Sequence, residues 1–225
     1  MKGNKHKHML WLLFGFVSIL LAGCGGDPDQ TIHEHMEKSV EIESNAAKDQ
    51  NAIVTAEKQE KQIYEELIGQ GDNQLDKIQK LSDKATKNIK KRAALIKKEK
   101  ESMDESKENF AEIKGQIEKL KTDKEKQKAN KMYQSMQKRF SLYASLYKAY
   151  NHSLSEENKM YKLLAKKDAK HESVVKQIEK VNASYEKLID ENKAFNDQTA
   201  TYNQLKKDFY KTTDLDVEYT DQQKK

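Results

Sequence analysis

The near absence of helix-breaking residues constrains this chain of 225 residues more than any other feature. Pro28 is the only proline, and after Gly26 the only glycines are Gly69, Gly71 and Gly115. Since proline and glycine are the strongest helix breakers, almost nothing interrupts a helix over the rest of the chain. Charged residues make up 35% of the chain and would favour disorder if the apolar residues were scattered. The apolar residues instead recur at helical spacing, so the sequence predicts long helices.

Two of these helices are predicted in the first half of the chain. Thr31 and Glu34 fit a capping box, so the first helix is expected to begin there and to end at Gly69 in a left-handed cap. The second is expected over residues 72–120, beginning at Asp72. Its apolar residues alternate by three and four, a heptad pattern. Three polar residues interrupt this seam near its middle: Arg92, Glu99 and Ser106.

The second half of the chain repeats the arrangement. The stretch "KTDKEKQKANK", residues 121–131, is nearly free of apolar side chains and is predicted to be a turn. A third seam runs over residues 132–164, and "AKKDAKHE" separates it from a fourth over residues 174–209. Four seams of similar length predict an all-α fold: an elongated antiparallel, coiled-coil-like bundle of about four long helices over residues 31–211. Residues 212–225 are expected to be a flexible tail.

The amino terminus has the layout of a secretory signal peptide, predicted over residues 1–23. Lys2, Lys5 and Lys7 precede the apolar run "MLWLLFGFVSILL", which is shorter than the roughly 20 residues that a membrane-spanning helix needs. Export therefore explains the segment better than a permanent transmembrane anchor does.

The only cysteine follows this apolar run, at Cys24. Leu21, Ala22, Gly23 and Cys24 resemble the bacterial lipobox, in which the cysteine receives diacylglycerol and the chain is cut before it. The alternative is a small buried thiol without a function. We expect lipidation, which places the protein at the cell membrane on its extracytoplasmic face with residues 24–30 as a lipidated tether.

Charge is distributed unevenly along the chain. Residues 27–68 hold eleven acidic residues and four lysines, whereas residues 84–100 hold eight basic residues and one acidic residue. This contrast predicts complementarity within the first helical hairpin and no nucleic-acid partner. Alternating helix directions would also place the turn at residues 121–131 at the end nearest the anchor, facing anionic head groups, unless its lysines are merely solvated. Those lysines are Lys121, Lys124, Lys126, Lys128 and Lys131.

No motif of an enzyme is present, and we expect neither catalytic residues nor a cofactor beyond the covalent diacylglycerol. His33 and His35 point to different sides of a helix, so no metal site is predicted. Four tyrosines recur along the third seam: Tyr143, Tyr147, Tyr150 and Tyr161. Such a row can stack on sugars, but heptad spacing favours core packing.

Four blocks of the chain resemble a known family: "KEKESMDESKENF" (98–110), "SLYKAYNHSL" (145–154), "ASYEKLIDENKAFN" (183–196) and "YNQLKKDFYKTTDLDVEY" (202–219). They are similar to the YkyA-like lipoproteins of Gram-positive bacilli, a family described as cell-wall binding. The resemblance implies a membrane-anchored helical protein that contacts peptidoglycan or teichoic acid. Only Cys24 transfers as a functional position, with the three residues before it as recognition context. The rival function is a scaffold or adaptor that docks a membrane or secreted protein, or a second copy of itself.

Overall fold

The computed structural model describes residues 27–70, 74–215 and 217, and nearly all of them are helical. Five helices follow one another: α1 (Pro28–Ile68), α2 (Leu75–Ala111), α3 (Ile113–Ile117), α4 (Asp123–Leu164) and α5 (His171–Tyr210). This confirms the predicted all-α bundle of four long helices, to which α3 is a short addition. Within the described ranges, no helix combines the length and apolar character required to span a bilayer.

α1 begins earlier than predicted. Both the N–H and the hydroxyl of Thr31 donate to the Asp27 carbonyl, at 3.0 and 3.2 Å, so Thr31 lies inside the first turn. The capping box predicted at Thr31 and Glu34 is therefore wrong. Pro28 takes the first helical position instead, where its fixed φ suits a helix and its missing N–H is not needed. The expected tether of residues 24–30 shortens accordingly, since its last three residues are helical.

The predicted end of α1 at Gly69 is confirmed, but the predicted left-handed conformation of Gly69 is wrong. α1 ends at Ile68, yet Gly69 is not in the left-handed region. The turn is closed by the Gln70 N–H, which donates to the Leu67 carbonyl at 3.1 Å. The predicted helix start at Asp72 lies outside the described residues.

The single helix predicted over residues 72–120 is wrong at its carboxyl end. α2 stops at Ala111, where the Glu112 N–H donates to the Asn109 carbonyl three residues earlier at 3.3 Å, and α3 follows. The apolar seam nevertheless continues into the core through Ile113, Ile117 and Leu120. The seam therefore predicted the buried residues correctly but gave no sign that the helix breaks after Ala111.

The turn predicted over residues 121–131 is also wrong, because α4 already begins at Asp123. Thr122 and Glu125 form a capping box: the Thr122 N–H donates to the Glu125 carboxylate at 2.8 Å, and the Glu125 N–H donates to the Thr122 hydroxyl at 3.2 Å. The polar stretch is therefore the exposed start of a helix. The predicted break before the fourth seam is confirmed between Leu164 and His171.

The described chain forms two compact units, and each long helix contributes a segment to both. Unit 1 contains residues 27–45, 102–143, 192–215 and 217. Its first two helical segments are antiparallel, since His35 contacts Asn109 and the later Ser39 contacts the earlier Ser106, at 3.0 and 3.3 Å. Large side chains fill its core, among them Ile32, Met36, Phe110, Met132, Phe140, Tyr143, Phe195 and Phe209.

Unit 2 contains residues 46–70, 74–101 and 144–191. α1 and α2 are antiparallel here as well, because Gln50 donates to Glu99 at 3.4 Å and Asn88 donates to the Ala56 carbonyl at 2.8 Å. The core of unit 2 includes Ile53, Leu67, Leu81, Ala85, Ile89, Ile96, Leu154, Tyr161, Val181 and Leu188. The polar seam positions Arg92 and Glu99 are buried with them.

Candidate functional site

The predicted lipid attachment site precedes the first described residue. Leu21, Ala22, Gly23 and Cys24 lie outside the described residues, so lipidation stays a prediction. Asp27, the third residue after Cys24, belongs to unit 1. A lipid anchor at Cys24 would therefore be attached to unit 1, at the start of α1.

The start of α1 contacts the turn before α4. Lys121 Nζ donates to Asp27 Oδ2 at 3.0 Å, and this hydrogen bond, with the charge of Asp27, raises the pKa of the exposed Lys121 amine. The structure thus brings Asp27, three residues after Cys24, beside the first of the lysines predicted to face head groups.

The other lysines of residues 121–131 do not form one surface. Lys124, Lys128 and Lys131 are spaced by four and three residues and share a face of α4, whereas Lys126 lies on a different face. Lys128 is partly neutralised by Asp208, whose carboxylate lies 3.9 Å away. On the shared face, Lys124 and Lys131 are exposed and form no ion pair within the described residues.

The sequence contains only two arginines, and each is buried in one unit. In unit 1, Arg139 donates from both terminal nitrogens to the Glu43 carboxylate, at 2.9 and 2.8 Å, and from Nε to the Thr199 hydroxyl at 3.0 Å. The Ser106 hydroxyl donates to the same carboxylate at 2.9 Å. The Arg139 side chain is 5% exposed and that of Glu43 4%, so the pair is almost fully desolvated and depends on these hydrogen bonds.

Arginine suits these positions better than lysine. A guanidinium stays charged when buried, and its planar fork matches both oxygens of a carboxylate. The heptad pattern identified Arg92 as a seam residue but missed Arg139 and Glu43. The one available signal was composition, because nearly all of the 42 basic residues are lysine.

In unit 2, Arg92 forms the corresponding buried ion pair, with Glu157. Its two terminal nitrogens donate to the Glu157 carboxylate, and its Nε donates to Asn88 Oδ1 at 3.0 Å. Asn88 in turn donates to the Ala56 carbonyl at 2.8 Å. This network joins α1, α2 and α4 within unit 2.

Two more carboxyl groups lie near Arg92. Tyr150 donates its hydroxyl to Glu57 at 3.0 Å, and Tyr161 donates its hydroxyl to Glu60. Burial raises the pKa of both glutamates, and it raises the pKa of both tyrosines as well. The interior of unit 2 therefore contains more acidic than basic groups, so protonating Glu57 or Glu60 stabilises the fold.

The tyrosine row of the third seam is largely core. Tyr143, Tyr150 and Tyr161 are 2%, 4% and 0% exposed, whereas Tyr147 is half-buried. Sugar rings cannot stack on rings that other side chains cover. The geometry therefore favours core packing over glycan stacking.

The two histidines of α1 are bound separately. His33 Nδ1 lies 2.7 Å from the Tyr210 hydroxyl, and His35 Nδ1 lies 3.0 Å from Asn109 Oδ1. Burial lowers the pKa of His33, which favours the neutral ring. Each ring thus serves the packing of α1 against a different helix of unit 1.

Several exposed lysines of α2 in unit 2 form no ion pair within the described residues. Two acidic residues of α1, Glu57 and Glu60, accept hydrogen bonds from tyrosines. Among the residues that the structure describes, neither glutamate forms an ion pair with an exposed lysine of α2. Five of these lysines follow one another at intervals of three and four and form what we call the α2 lysine stripe: Lys77, Lys80, Lys84, Lys87 and Lys91. None of the five forms an ion pair within the described part of the chain. Lys84, Lys87 and Lys91 thus have no direct ion pair with α1 within the described residues, and the predicted complementarity of the two stretches stays a prediction.

Comparison with known proteins agrees with the fold and with the resemblance. Residues 27–212 match the YkyA family, described as "Putative cell-wall binding lipoprotein". The chain is 36% identical over 198 residues to a protein of Bacillus subtilis (strain 168) named "Uncharacterized lipoprotein YkyA", covering 88% of this chain and 89% of that protein.

A solved structure shares the fold. Its title is "1.6 A Crystal Structure of a Conserved Protein of Unknown Function from Staphylococcus aureus", and it aligns with a TM-score of 0.70 over 81% of this chain and 93% of that one. At 16% identity this likeness concerns the helical fold alone.

Proposed function

Because the chain belongs to the YkyA family of lipoproteins, we propose that it is an exported lipoprotein, anchored through diacylglycerol on Cys24, whose helical units bind an anionic polymer of the cell wall. The observation that carries this proposal is the position of the family match. It begins at residue 27, directly after the lipobox-like residues 21–24 and the predicted signal peptide. Two acyl chains on one cysteine hold a protein at a membrane stably, whereas one chain does so only reversibly.

The start of α1 supports a membrane-facing end of unit 1. An extended chain covers about 3.3–3.6 Å per residue, so a lipid on Cys24 would hold Asp27 within about 11 Å of its attachment point. Lys121 contacts Asp27, and Lys124 and Lys131 are exposed on the adjoining helix. Each exposed lysine near an anionic leaflet contributes about 1 kcal/mol of attraction.

Exposed lysines support wall contact through a surface. The tyrosine row is largely buried, so contact with a wall polymer would come from charged helix faces. Teichoic acids are polyanions, and weak contacts to several phosphates add up along a chain. Such binding weakens steeply with salt, because ions screen exposed charges within about 10 Å at 0.1 M.

Separating the anchor from the wall contact tests the proposal. Residues 1–24 are replaced by a cleavable signal peptide, so that residues 25–225 are exported by a Gram-positive host without lipid. We expect the lipid-free chain to stay with isolated walls and to be released by a high-salt wash, while the wild-type chain stays with membranes after the wall is digested.

Recovery of the lipid-free chain in the medium would contradict wall binding. Recovery there in a complex with a secreted protein would favour the scaffold function instead. Wild-type protein that leaves the membrane without detergent would contradict the lipid anchor.

A further inference from the structure

We propose that the α2 lysine stripe binds a linear phosphodiester polymer of the wall, with the polymer lying along the helix axis. This inference rests on the proposed function and adds to it a location and a ligand chemistry. The stripe belongs entirely to unit 2, and all five of its lysines are exposed.

The spacing of the stripe suits a linear polyanion. From Lys77 to Lys91 the helix rises about 21 Å, at 1.5 Å per residue. Five ammonium groups therefore follow one another about every 5 Å along a single helix face. A polymer with one phosphate in each repeat can approach several of these groups at once, whereas a single small anion would meet only one or two.

No lysine of the stripe forms an ion pair within the described residues, whereas several other exposed lysines of unit 2 do. Three other exposed lysines of unit 2 form ion pairs, with these distances from lysine Nζ to glutamate Oε1: Lys61–Glu65, 3.7 Å; Lys176–Glu172, 2.7 Å; and Lys187–Glu191, 2.6 Å. Each of these lysines has its acid four residues away along the helix. Along the stripe, lysines lie at these distances from one another, for example Lys80 and Lys84, and the aspartates at these distances form no ion pair with them in the part of the chain that the structure describes. Like charges at this spacing repel, and a bound polyanion relieves the repulsion.

Two aspartates flank the stripe without cancelling its charge. Asp76 lies four residues before Lys80 and Asp83 four residues before Lys87, both are exposed, and neither forms an ion pair within the described ranges. Five lysines against two aspartates leave this part of the helix positive. The core face lies on the other side of α2, at Leu81, Ala85 and Ile89.

A pair of matched variants tests the stripe. The stripe variant carries Lys80→Gln, Lys84→Gln, Lys87→Gln and Lys91→Gln, and the control variant carries Lys61→Gln, Lys176→Gln, Lys187→Gln and Lys193→Gln. Both lose four positive charges, and glutamine has a helix propensity close to that of lysine. Residues 25–225 are used, since they include every described residue of both units.

Binding is measured by calorimetric titration with a defined oligomer of about ten glycerol-phosphate repeats, and by sedimentation with walls that retain or lack their teichoic acid. We expect the stripe variant to bind the oligomer roughly tenfold or more weakly than the wild type, with a shallower salt dependence. The control variant should stay within about twofold. Far-UV circular dichroism and urea unfolding establish that each variant is folded.

The other outcomes overturn the inference in distinguishable ways. Equal binding by the two variants, with wild-type binding to walls intact, overturns the stripe and leaves the proposed function standing. If the wild type binds walls stripped of teichoic acid but not the oligomer, the stripe is overturned, and wall binding stands while its assignment to an anionic polymer does not. Wild-type protein that binds neither walls nor oligomer overturns both proposals. Tighter binding to anionic phospholipid vesicles than to the oligomer would assign the stripe to the membrane.

Discussion

Removing one partner of the Arg139–Glu43 pair is expected to destabilise the protein more than removing both. Arg139→Met leaves the Glu43 carboxylate, 4% exposed, without its ion pair. Breaking a buried pair in this way costs about 3–5 kcal/mol, because a charge remains buried without compensation. Glu43→Leu leaves the buried Arg139 guanidinium without its ion pair, and it should reduce the free energy of unfolding by a similar amount.

The double variant Arg139→Met/Glu43→Leu removes both charges. Thr199 keeps a hydrogen bond to the Phe195 carbonyl at 2.8 Å, so only the Ser106 hydroxyl loses its side-chain acceptor. One such loss costs about 1–3 kcal/mol. The double variant should therefore be more stable than either single variant, which makes the two substitutions strongly non-additive.

Urea unfolding followed by circular dichroism measures the four free energies of this cycle. Lys193→Met is the control, because its ion pair with Asp197 spans 3.2 Å but the two side chains are 77% and 68% exposed. Losing that pair should change stability by about 1 kcal/mol at most. The reasoning is refuted if Arg139→Met costs less than about 1 kcal/mol, or if the two single costs simply add in the double variant.

Three further predictions concern titration and the anchor. Burial raises the pKa of Glu57 above its ordinary value of 4.5, so the stability that Glu57 contributes is fully present below pH 4.5 and is lost as the pH rises through the raised pKa. Glu57→Gln should therefore raise the urea midpoint at pH 7 but not at pH 4, and equal midpoints of variant and wild type at pH 7 would contradict this. Burial lowers the pKa of His33 below 6.5, so the stability that the neutral His33 contributes is lost as the pH falls from 6.5 through the lowered pKa. His33→Gln should flatten the dependence of the urea midpoint on pH between 7 and 5, and an unchanged slope would contradict the assignment. Cys24→Ala should abolish incorporation of radiolabelled palmitate into the protein in a Gram-positive host, and continued labelling would place the lipid elsewhere.

The core could be predicted from the sequence because burial follows local spacing. The second seam correctly included Arg92, Glu99 and Ser106, although all three are polar. Helix ends were harder, since two Thr-x-x-Glu signatures occur and only the one at Thr122 caps a helix. Pro28 explains the difference, because it can start α1 before Thr31 is reached.

Partners across helices could not be predicted, because a sequence records charge but not the direction of a side chain. Glu57 and Glu60 contribute to the acidic total of α1, yet they accept hydrogen bonds from tyrosines of α4. Arg139 lies among lysines in the sequence, and its pairing with Glu43 is a tertiary contact between residues 96 positions apart. For the same reason the sequence did not indicate the α2 lysine stripe, because the acidic residues of α1 were expected to neutralise its charge.

Sedimentation of residues 25–225 with purified wall sacculi, with and without teichoic acid and across a salt series, tests wall binding most directly. We predict that the protein sediments with complete walls at low salt, and that removing teichoic acid or adding salt leaves it in the supernatant. Protein that stays in the supernatant with complete walls at low salt would contradict the proposed function.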